Sequence, residues 1–253
     1  MKKFYDLHLS FENNENIAKA IELSEKFGFS GICIAKQFEK NFSEFSESVK
    51  KLSSKTKIEV FIGAEISENI KRNAVNALEF SDFIIANCRD EKTKIEASKC
   101  WEVDILYQNI NTKNHMDQKN SGIDSTIATL LSERGIALEI NFSEFLDSYG
   151  SIRAKKIGKV RQNILIARKY KTPIIITSGA KDIYEMRTPR ELISFGKILG
   201  LNDHEVKDAL ERTPLRLIEK SNSRKDPKKI LKGLEILKFG EEKKIVKKMH
   251  GFY

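Results

Sequence analysis

Short apolar runs alternate with longer amphipathic stretches along most of this chain. The runs place apolar, often β-branched residues on consecutive positions, which is typical of parallel strands buried on both faces. They predict seven strands, at residues 4–9, 31–35, 58–66, 82–86, 103–107, 136–140 and 174–176. The amphipathic stretches predict helices at about 17–27, 44–52, 69–79, 92–100, 124–133, 153–170, 188–199 and 203–220. No convincing eighth strand follows.

The alternation of strands and helices also predicts the fold class. Strands that alternate with helices form a parallel sheet with right-handed crossovers, and this sheet either closes as a barrel or stays open and doubly wound. The length, 253 residues, is within the range of one α/β barrel. The chain has no GxGxxG or Walker motif that would support an open, nucleotide-binding sheet.

The seventh strand leads into a polar, basic loop. Pro173 ends the preceding helix, and the small residues 177–180 follow the strand and allow another backbone or a ligand to come close. Thr188 and Pro189 are typical of a helix N-cap and first helical residue. The basic residues of this loop and helix start are Lys181, Arg187 and Arg190.

Arg187 allows two interpretations. Its guanidinium could bridge two phosphate oxygens, which lysine cannot do with the same geometry. It could instead form a surface salt bridge with Glu185 or Glu191.

Polar residues recur where the predicted strands end. They are His8, Ser10, Lys36, Glu65, Asn87, Gln108, Asn141 and Ser178. In a barrel these positions converge on the carboxyl-terminal mouth, where such folds carry function. Strand ends are also polar simply because they meet water, but this explains a ring containing Lys36 and Glu65 less well.

Charge favours an acidic partner. The net charge is +9, and residues 221–253 contribute ten basic and four acidic side chains, a net +6. A predicted helix is also basic, with no acidic residue among Arg153, Lys155, Lys156, Lys159, Arg161, Arg168, Lys169 and Lys171. Such segments track phosphate backbones or are simply solvated faces.

Several classes of protein are disfavoured. No apolar run approaches the roughly 20 residues of a membrane span, and the amino terminus lacks the features of a signal peptide. The cysteines Cys33, Cys88 and Cys100 lie far apart without a CxxC, which argues against a zinc ribbon and for a reducing compartment. We therefore expect small buried thiols in a cytoplasmic protein without a membrane partner.

The opening strand raises the possibility of metal chemistry. Its sequence DLHLS is close to the HxH pair with which metal-dependent phosphoesterases of the polymerase-and-histidinol-phosphatase type begin. Here Ser10 replaces the second histidine, and Glu65 with His8 is too small a set for a multinuclear site. We favour His8 as a hydrogen-bonded packing residue, and keep the phosphoesterase as the alternative function. A metabolic barrel enzyme is a third hypothesis, but no phosphate-binding glycine loop supports it.

Longer motifs carry a family resemblance. They are FYDLHL (4–9), GAEI (63–66), VDIL (103–106) and the longer stretches at 121–142, 153–173, 176–192 and 200–222. In this order and spacing the chain resembles protein component 3 of archaeal ribonuclease P, the counterpart of the eukaryotic thirty-kilodalton subunit, over most of residues 4–237. The resemblance implies an incomplete TIM-like barrel of about seven parallel strands with surrounding helices, as one domain over 1–237 before a basic tail at 238–253.

The resemblance also implies a function. In that family a catalytic RNA, with Mg²⁺, removes the 5′ leader from precursor tRNA, and the protein pairs with another small subunit and helps the RNA work. This chain alone is then not catalytic and binds no metal itself. Its expected partners are ribonuclease P RNA, precursor tRNA and other protein subunits.

Site residues are expected in two groups. Asp6, Lys36, Glu65, the segment 178–180, Arg187 and Pro189 match family positions, and Lys94 stands where arginine is usual. The expected RNA-binding residues are Lys36, Arg89, Lys94, Arg153, Lys156, Lys181, Arg187 and Arg190. The expected polar residues of the barrel mouth are Asp6, His8, Glu65, Asn141 and Ser178.

Overall fold

Seven parallel strands in sequence order form the central sheet of the computed structural model. The structure describes residues 3–54, 56–108, 122–226, 228–231 and 234–235. The strands are β1 Tyr5–Leu9, β2 Gly31–Gln37, β3 Glu59–Ile66, β4 Phe83–Cys88, β5 Ile105–Gln108, β6 Ala137–Asn141 and β7 Ile174–Thr177. Each predicted strand is therefore confirmed, with ends that differ by one or two residues.

The sheet curls into a nearly closed barrel, which confirms the predicted fold class. The first and last strands do not form a regular ladder. Instead, the segment after β7 crosses to β1, where Gly179 N–H donates to the His8 carbonyl at 3.1 Å and Ser10 N–H donates to the Ala180 carbonyl at 2.9 Å. No eighth parallel strand occurs within the described ranges.

Helices surround the barrel. They are α1 Asn14–Phe27, α2 Phe42–Ser53, α3 Ile70–Ala77, α4 Glu91–Lys99, α5 Ser125–Arg134, α6 Gly150–Tyr170, α7 Pro189–Ile198, α8 Asp203–Leu210 and α9 Arg212–Lys225. The predicted start of α7 is confirmed, because Thr188 accepts from the Glu191 N–H as a capping box and Pro189 is the first helical residue. None of the described helices is both long and apolar enough to cross a membrane.

The prediction of one helix over 203–220 was wrong. The segment forms two helices, α8 and α9, that are separated at Glu211. Pro214 explains the break, because it has no N–H to donate to the Leu210 carbonyl and its ring clashes with that carbonyl in a continuous helix. A short antiparallel pair, β8 Lys229–Leu231 and β9 Leu234–Glu235, follows and was not predicted. The predicted tail, 238–253, lies outside the described residues.

Alternate residues of the strands pack into two separate apolar clusters. Ile32 and Ile34 belong to the larger cluster between sheet and helices, whereas Cys33 and Ala35 belong to the cluster inside the barrel. The inner cluster also includes Leu217 of α9, so this helix packs against the barrel interior. All three cysteines are free and buried, as expected.

Helix α9 closes the amino-terminal end of the barrel. Arg224 Nη2 lies 2.6 Å from Asp104 Oδ2, just before β5, and Lys220 Nζ lies 3.1 Å from Asp104 Oδ1. Burial alone would raise the pKa of Asp104, but the charges of Arg224 and Lys220 outweigh it and lower that pKa. With this end closed, the opposite end of the barrel is the open one.

Candidate functional site at the barrel mouth

A polar cavity of about 880 Å³ opens at the carboxyl ends of the strands. It brings together strand-end residues that are far apart in sequence, as expected for a barrel. The predicted residues among its lining are His8, Ser10, Lys36, Glu65, Asn87, Arg89, Asn141 and Lys181. This cavity is the candidate functional site.

His8 occupies the floor of the cavity between two carboxylates. Its Nδ1 lies 2.7 Å from Glu139 Oε1, and its Nε2 lies 3.2 Å from Glu65 Oε1. Burial by itself would lower the pKa of His8, but the charge and hydrogen bond of Glu139, joined by those of Glu65, raise it well above its usual value. His8 is therefore an imidazolium held by charge on both sides.

Both carboxylates have further partners. Glu65 accepts from Ser10 Oγ at 2.9 Å, and Glu139 accepts from Thr177 Oγ1 at 2.5 Å and from Asn141 Nδ2 at 3.1 Å. Burial would raise the pKa of Glu65, but the hydrogen bond and charge of His8, with Ser10, lower it to about 2. The floor is a connected network in which strands β1, β3, β6 and β7 each supply a member.

Glu139 was missed in the sequence analysis. It is the only charged residue in the apolar run 136–140, and it is buried. A charge on an inward position of a buried strand requires a partner, since isolated buried carboxylates are costly. That pattern was the available signal.

Asp6 joins β1 to the residue that follows β7. It accepts from Ser178 Oγ at 2.5 Å and from Ser178 N–H at 3.2 Å. Burial raises the pKa of Asp6 to about 6, although the hydrogen bonds from Ser178 act in the opposite direction. The next residue, Gly179, has φ +60°, and a Cβ there would lie 1.9 Å from Asn141 Oδ1. The small residues after β7 therefore close the barrel and pack against the floor network.

Two of the lysines expected to bind RNA are buried. Lys94 Nζ donates to the Gly122 carbonyl at 2.8 Å, and Lys156 Nζ donates to the Glu144 carbonyl at 2.5 Å. Burial lowers the pKa of Lys94. Both amino groups face backbone rather than the surface, so the structure brings neither of them into the cavity.

Arg153 and Arg187 also have partners within the protein. Arg153 Nε donates to the Ser148 carbonyl at 2.5 Å, and its guanidinium stacks on Tyr149. Arg187 Nη1 donates to the carbonyls of Tyr184 at 3.0 Å and Met186 at 2.8 Å. Its guanidinium also lies 4.8 Å from the centre of the Phe142 ring. Neither Glu185 nor Glu191 forms an ion pair with Arg187 in the described structure, so the salt-bridge interpretation is not observed.

The remaining cations surround the cavity. Lys36, Arg89 and Lys181, which we call the mouth cations, all line it, and Arg190 is exposed at the start of α7. Within the described part of the chain, the side chains of the mouth cations form no hydrogen bond or ion pair, and the Lys36 ammonium only rests 5.5 Å from the Phe45 ring. Among the same residues, no group of three or more His, Cys, Asp and Glu side chains is arranged to hold a metal ion.

Comparison with known proteins gives one consistent family. The sequence model of the family described as RNase P subunit p30 matches residues 3–226. The chain is 32% identical over 248 residues to Ribonuclease P protein component 3 of Methanosarcina mazei, which covers 95% of this chain and 98% of the relative. It is 28% identical over 248 residues to the protein of the same name from Methanosarcina acetivorans, with 95% and 98% covered.

Solved structures support the fold. A chain in a cryo-EM structure of archaeal Ribonuclease P with mature tRNA superposes with a TM-score of 0.78 and 23% identity. The match covers 94% of this chain and all of that one. A lactonase from Listeria monocytogenes superposes with a TM-score of 0.52 at 9% identity, over 85% of this chain and 94% of the lactonase. At such identities the likeness concerns the barrel itself.

Proposed function

The chain belongs to the ribonuclease P subunit p30 family and is a protein subunit of ribonuclease P, and we propose that it binds and activates that enzyme's catalytic RNA. The activity of the complete enzyme is the maturation of tRNA at its 5′ end. In our proposal the protein contributes a rigid, basic surface, and the cleavage chemistry belongs to the RNA.

The floor of the cavity supports a non-catalytic role for the barrel. Both ring nitrogens of His8 are engaged by carboxylates, and Ser10 Oγ donates to one of them. A phosphoesterase would need these side chains to be free to hold metal ions or substrate. The alternative of a metal-dependent phosphoesterase is therefore not favoured.

The observation that carries the RNA-binding proposal is the set of mouth cations. These three side chains surround one cavity and, among the residues that the structure describes, have no hydrogen-bonded or ion-paired partner, in a chain of net charge +9. Unpaired cations on a rigid scaffold are suited to phosphate oxygens, whose neutralisation releases counterions and drives association. Arg190 extends the same basic surface along α7.

The wider assignments belong to the same proposal. The RNA partners are ribonuclease P RNA and precursor tRNA, and other protein subunits, including a small one, complete a heteromeric complex. Mg²⁺ acts through the RNA and is not held by this chain. The complex works in the cytoplasm.

The test is the salt dependence of RNA binding by the full chain. We expect the logarithm of affinity to fall with the logarithm of salt concentration, by about 0.7 to 0.9 per phosphate contact. Replacing the three mouth cations together by glutamine should reduce that slope by about 2 and weaken cleavage of precursor tRNA by the reconstituted enzyme. The matched control replaces Lys26, Lys57 and Lys99, which are exposed at the opposite end of the barrel, so that the same charge is lost.

Two results would overturn parts of the proposal. A wild-type chain that neither binds ribonuclease P RNA nor stimulates cleavage would refute the function. A mouth variant that behaves like the control variant would refute the assigned surface while leaving the function intact.

A further inference from the structure

Tyr184 is the most exposed large apolar side chain in the described structure, at 91%. It lies on the short turn Ile183–Glu185, between β7 and α7. The sequence analysis assigned the basic residues on both sides of this tyrosine and gave no role to its ring. An exposed aromatic ring with cations nearby offers a flat apolar contact as well as charge, whereas an exposed cation alone offers only charge.

The turn that carries Tyr184 is held from several directions. Tyr184 N–H donates to Asp182 Oδ1 at 2.9 Å, and Lys181 N–H donates to Glu185 Oε2 at 2.8 Å. The side chain of Arg187 also donates to the Tyr184 carbonyl, and its guanidinium stacks on the Phe142 ring. The backbone is therefore fixed, and only the side-chain torsions of Tyr184 remain to be ordered when something binds the ring.

Both faces of the Tyr184 ring are free. In the part of the chain that the structure describes, no aromatic ring or cation lies over it. Two other described tyrosines that reach the surface differ in this respect: Arg153 lies 5.1 Å from the ring centre of Tyr149, and Lys169 lies 5.4 Å from that of Tyr170. Among the described residues, those two rings have a cation as a stacking partner, and Tyr184 has none.

Exposed cations lie on both sides of the turn that carries Tyr184, and the carboxylates of Asp182 and Glu185 accept from backbone N–H groups of the turn. These cations are Lys181 and Arg190, and neither side chain forms an ion pair among the described residues. Helix α1 also contacts the turn, and its Lys19 is paired with Glu15. Single-stranded RNA is recognised by this combination, because cations meet the phosphates while an aromatic ring stacks on an unpaired base.

We propose that Tyr184 is a stacking platform for an unpaired base of the RNA bound by this subunit. The inference rests on the proposed function and adds a contact of different chemistry to the mouth cations. It also gives Arg187 a positioning role, since its guanidinium donates to the Tyr184 carbonyl and so stabilises the turn that carries the ring.

The experiment compares substitutions of Tyr184 in the full chain, with a transcript of ribonuclease P RNA from the same organism as the probe. Tyr184→Ala should weaken RNA binding roughly 5- to 100-fold, the range expected for one lost base stack. Tyr184→Phe should bind within about twofold of wild type, because the ring is kept, and Tyr184→Leu should resemble the alanine variant. Stacking is not ionic, so the salt slope should stay at the wild-type value.

Tyr149→Ala is the matched control, because Tyr149 is also exposed but already carries Arg153 on its ring. It should bind RNA as wild type does. Equal binding by Tyr184→Ala and wild type would overturn the inference, as would a leucine variant that binds as well as the phenylalanine variant. If the wild-type chain itself does not bind the transcript, the proposed function fails, and the two failures are thereby distinguished.

Discussion

Replacing His8 by asparagine tests whether the floor of the barrel mouth is held together by charge. Asparagine keeps a hydrogen-bond donor near the position of Nδ1, which faces Glu139, but it removes the positive charge and the contact with Glu65. The buried carboxylate of Glu139 and the partly buried carboxylate of Glu65 then face a neutral side chain.

The expected loss is large. Removing one partner from a buried ion pair costs about 3–5 kcal/mol, because the remaining charge stays desolvated. We expect the lower end of that range, since one hydrogen bond is retained. For a chain of this size, about 3 kcal/mol corresponds to a fall in Tm of roughly 6–12 °C. Ser10→Ala is the control, because it removes a single neutral donor from the same Glu65 and should cost about 1–2 kcal/mol.

The pH dependence gives the sharper test. The pKa of His8 is raised in the folded protein, so its contribution is complete below the unfolded value near 6.5 and is lost as pH rises through the raised value. The pKa of Glu65 is lowered to about 2, so its contribution is present above the unfolded value near 4.5 and is lost as pH falls through about 2. The difference between wild type and His8→Asn should therefore be largest at about pH 5–6.

The measurement is urea unfolding followed by far-ultraviolet circular dichroism at several pH values. The deficit of the asparagine variant should shrink toward acid, because the uncompensated carboxylates can then take up protons. A difference below about 1 kcal/mol at about pH 5–6, or one that does not change with pH, would refute the charged network.

Three further substitutions test the barrel and its closure. Gly179→Ala should lower Tm far more than Gly135→Ala, because both glycines have similar positive φ but only the Cβ at 179 would collide with a neighbour; equal effects would contradict this packing. Arg224→Met should cost about 3 kcal/mol in urea unfolding, because Asp104 loses the more buried of its two cationic partners and keeps only Lys220, whereas Lys225→Met at the exposed neighbouring pair should cost about 0–1, and similar losses would contradict it. Asp6→Asn should flatten the pH dependence of stability between about pH 4 and 6. Because the pKa of Asp6 is raised to about 6 in the folded protein, protonation of this group on acidification increases the free energy of unfolding of wild type by up to about 3 kcal/mol, and an unchanged profile in the variant would contradict that.

The barrel could be predicted from the sequence because its strands are apolar on consecutive positions. Such runs stand out from the amphipathic helices between them, and each of the seven barrel strands lies at a predicted run, whereas the short pair β8 and β9 does not. The boundary between α8 and α9 was not predicted, because the apolar spacing continues across Glu211 and only Pro214 marks the break. The missing N–H and the ring of Pro214 therefore interrupt a helix that the apolar spacing alone would continue.

The two buried lysines show that the number of basic residues in a segment does not indicate which of them reach the surface. Lys156 lies four residues before Val160, on the same buried stripe of α6, and Lys94 lies three residues before Ala97 on α4. Helical spacing therefore indicates that both point inward. The carbonyls that receive their amino groups, those of Gly122 and Glu144, come from distant segments, and no sequence pattern identified them.

The opening sequence DLHLS illustrates how one pattern allows two kinds of site. An HxH pair at this position would put two histidines on the same side of the strand, where they could share a metal ion. Here Ser10 donates to Glu65, and His8 itself supplies positive charge between Glu65 and Glu139. The polar side chains at the floor are thus hydrogen-bonded to one another. Among the described residues the mouth cations form no hydrogen bond or ion pair, so in our proposal they are the groups at the rim of the barrel that meet phosphate.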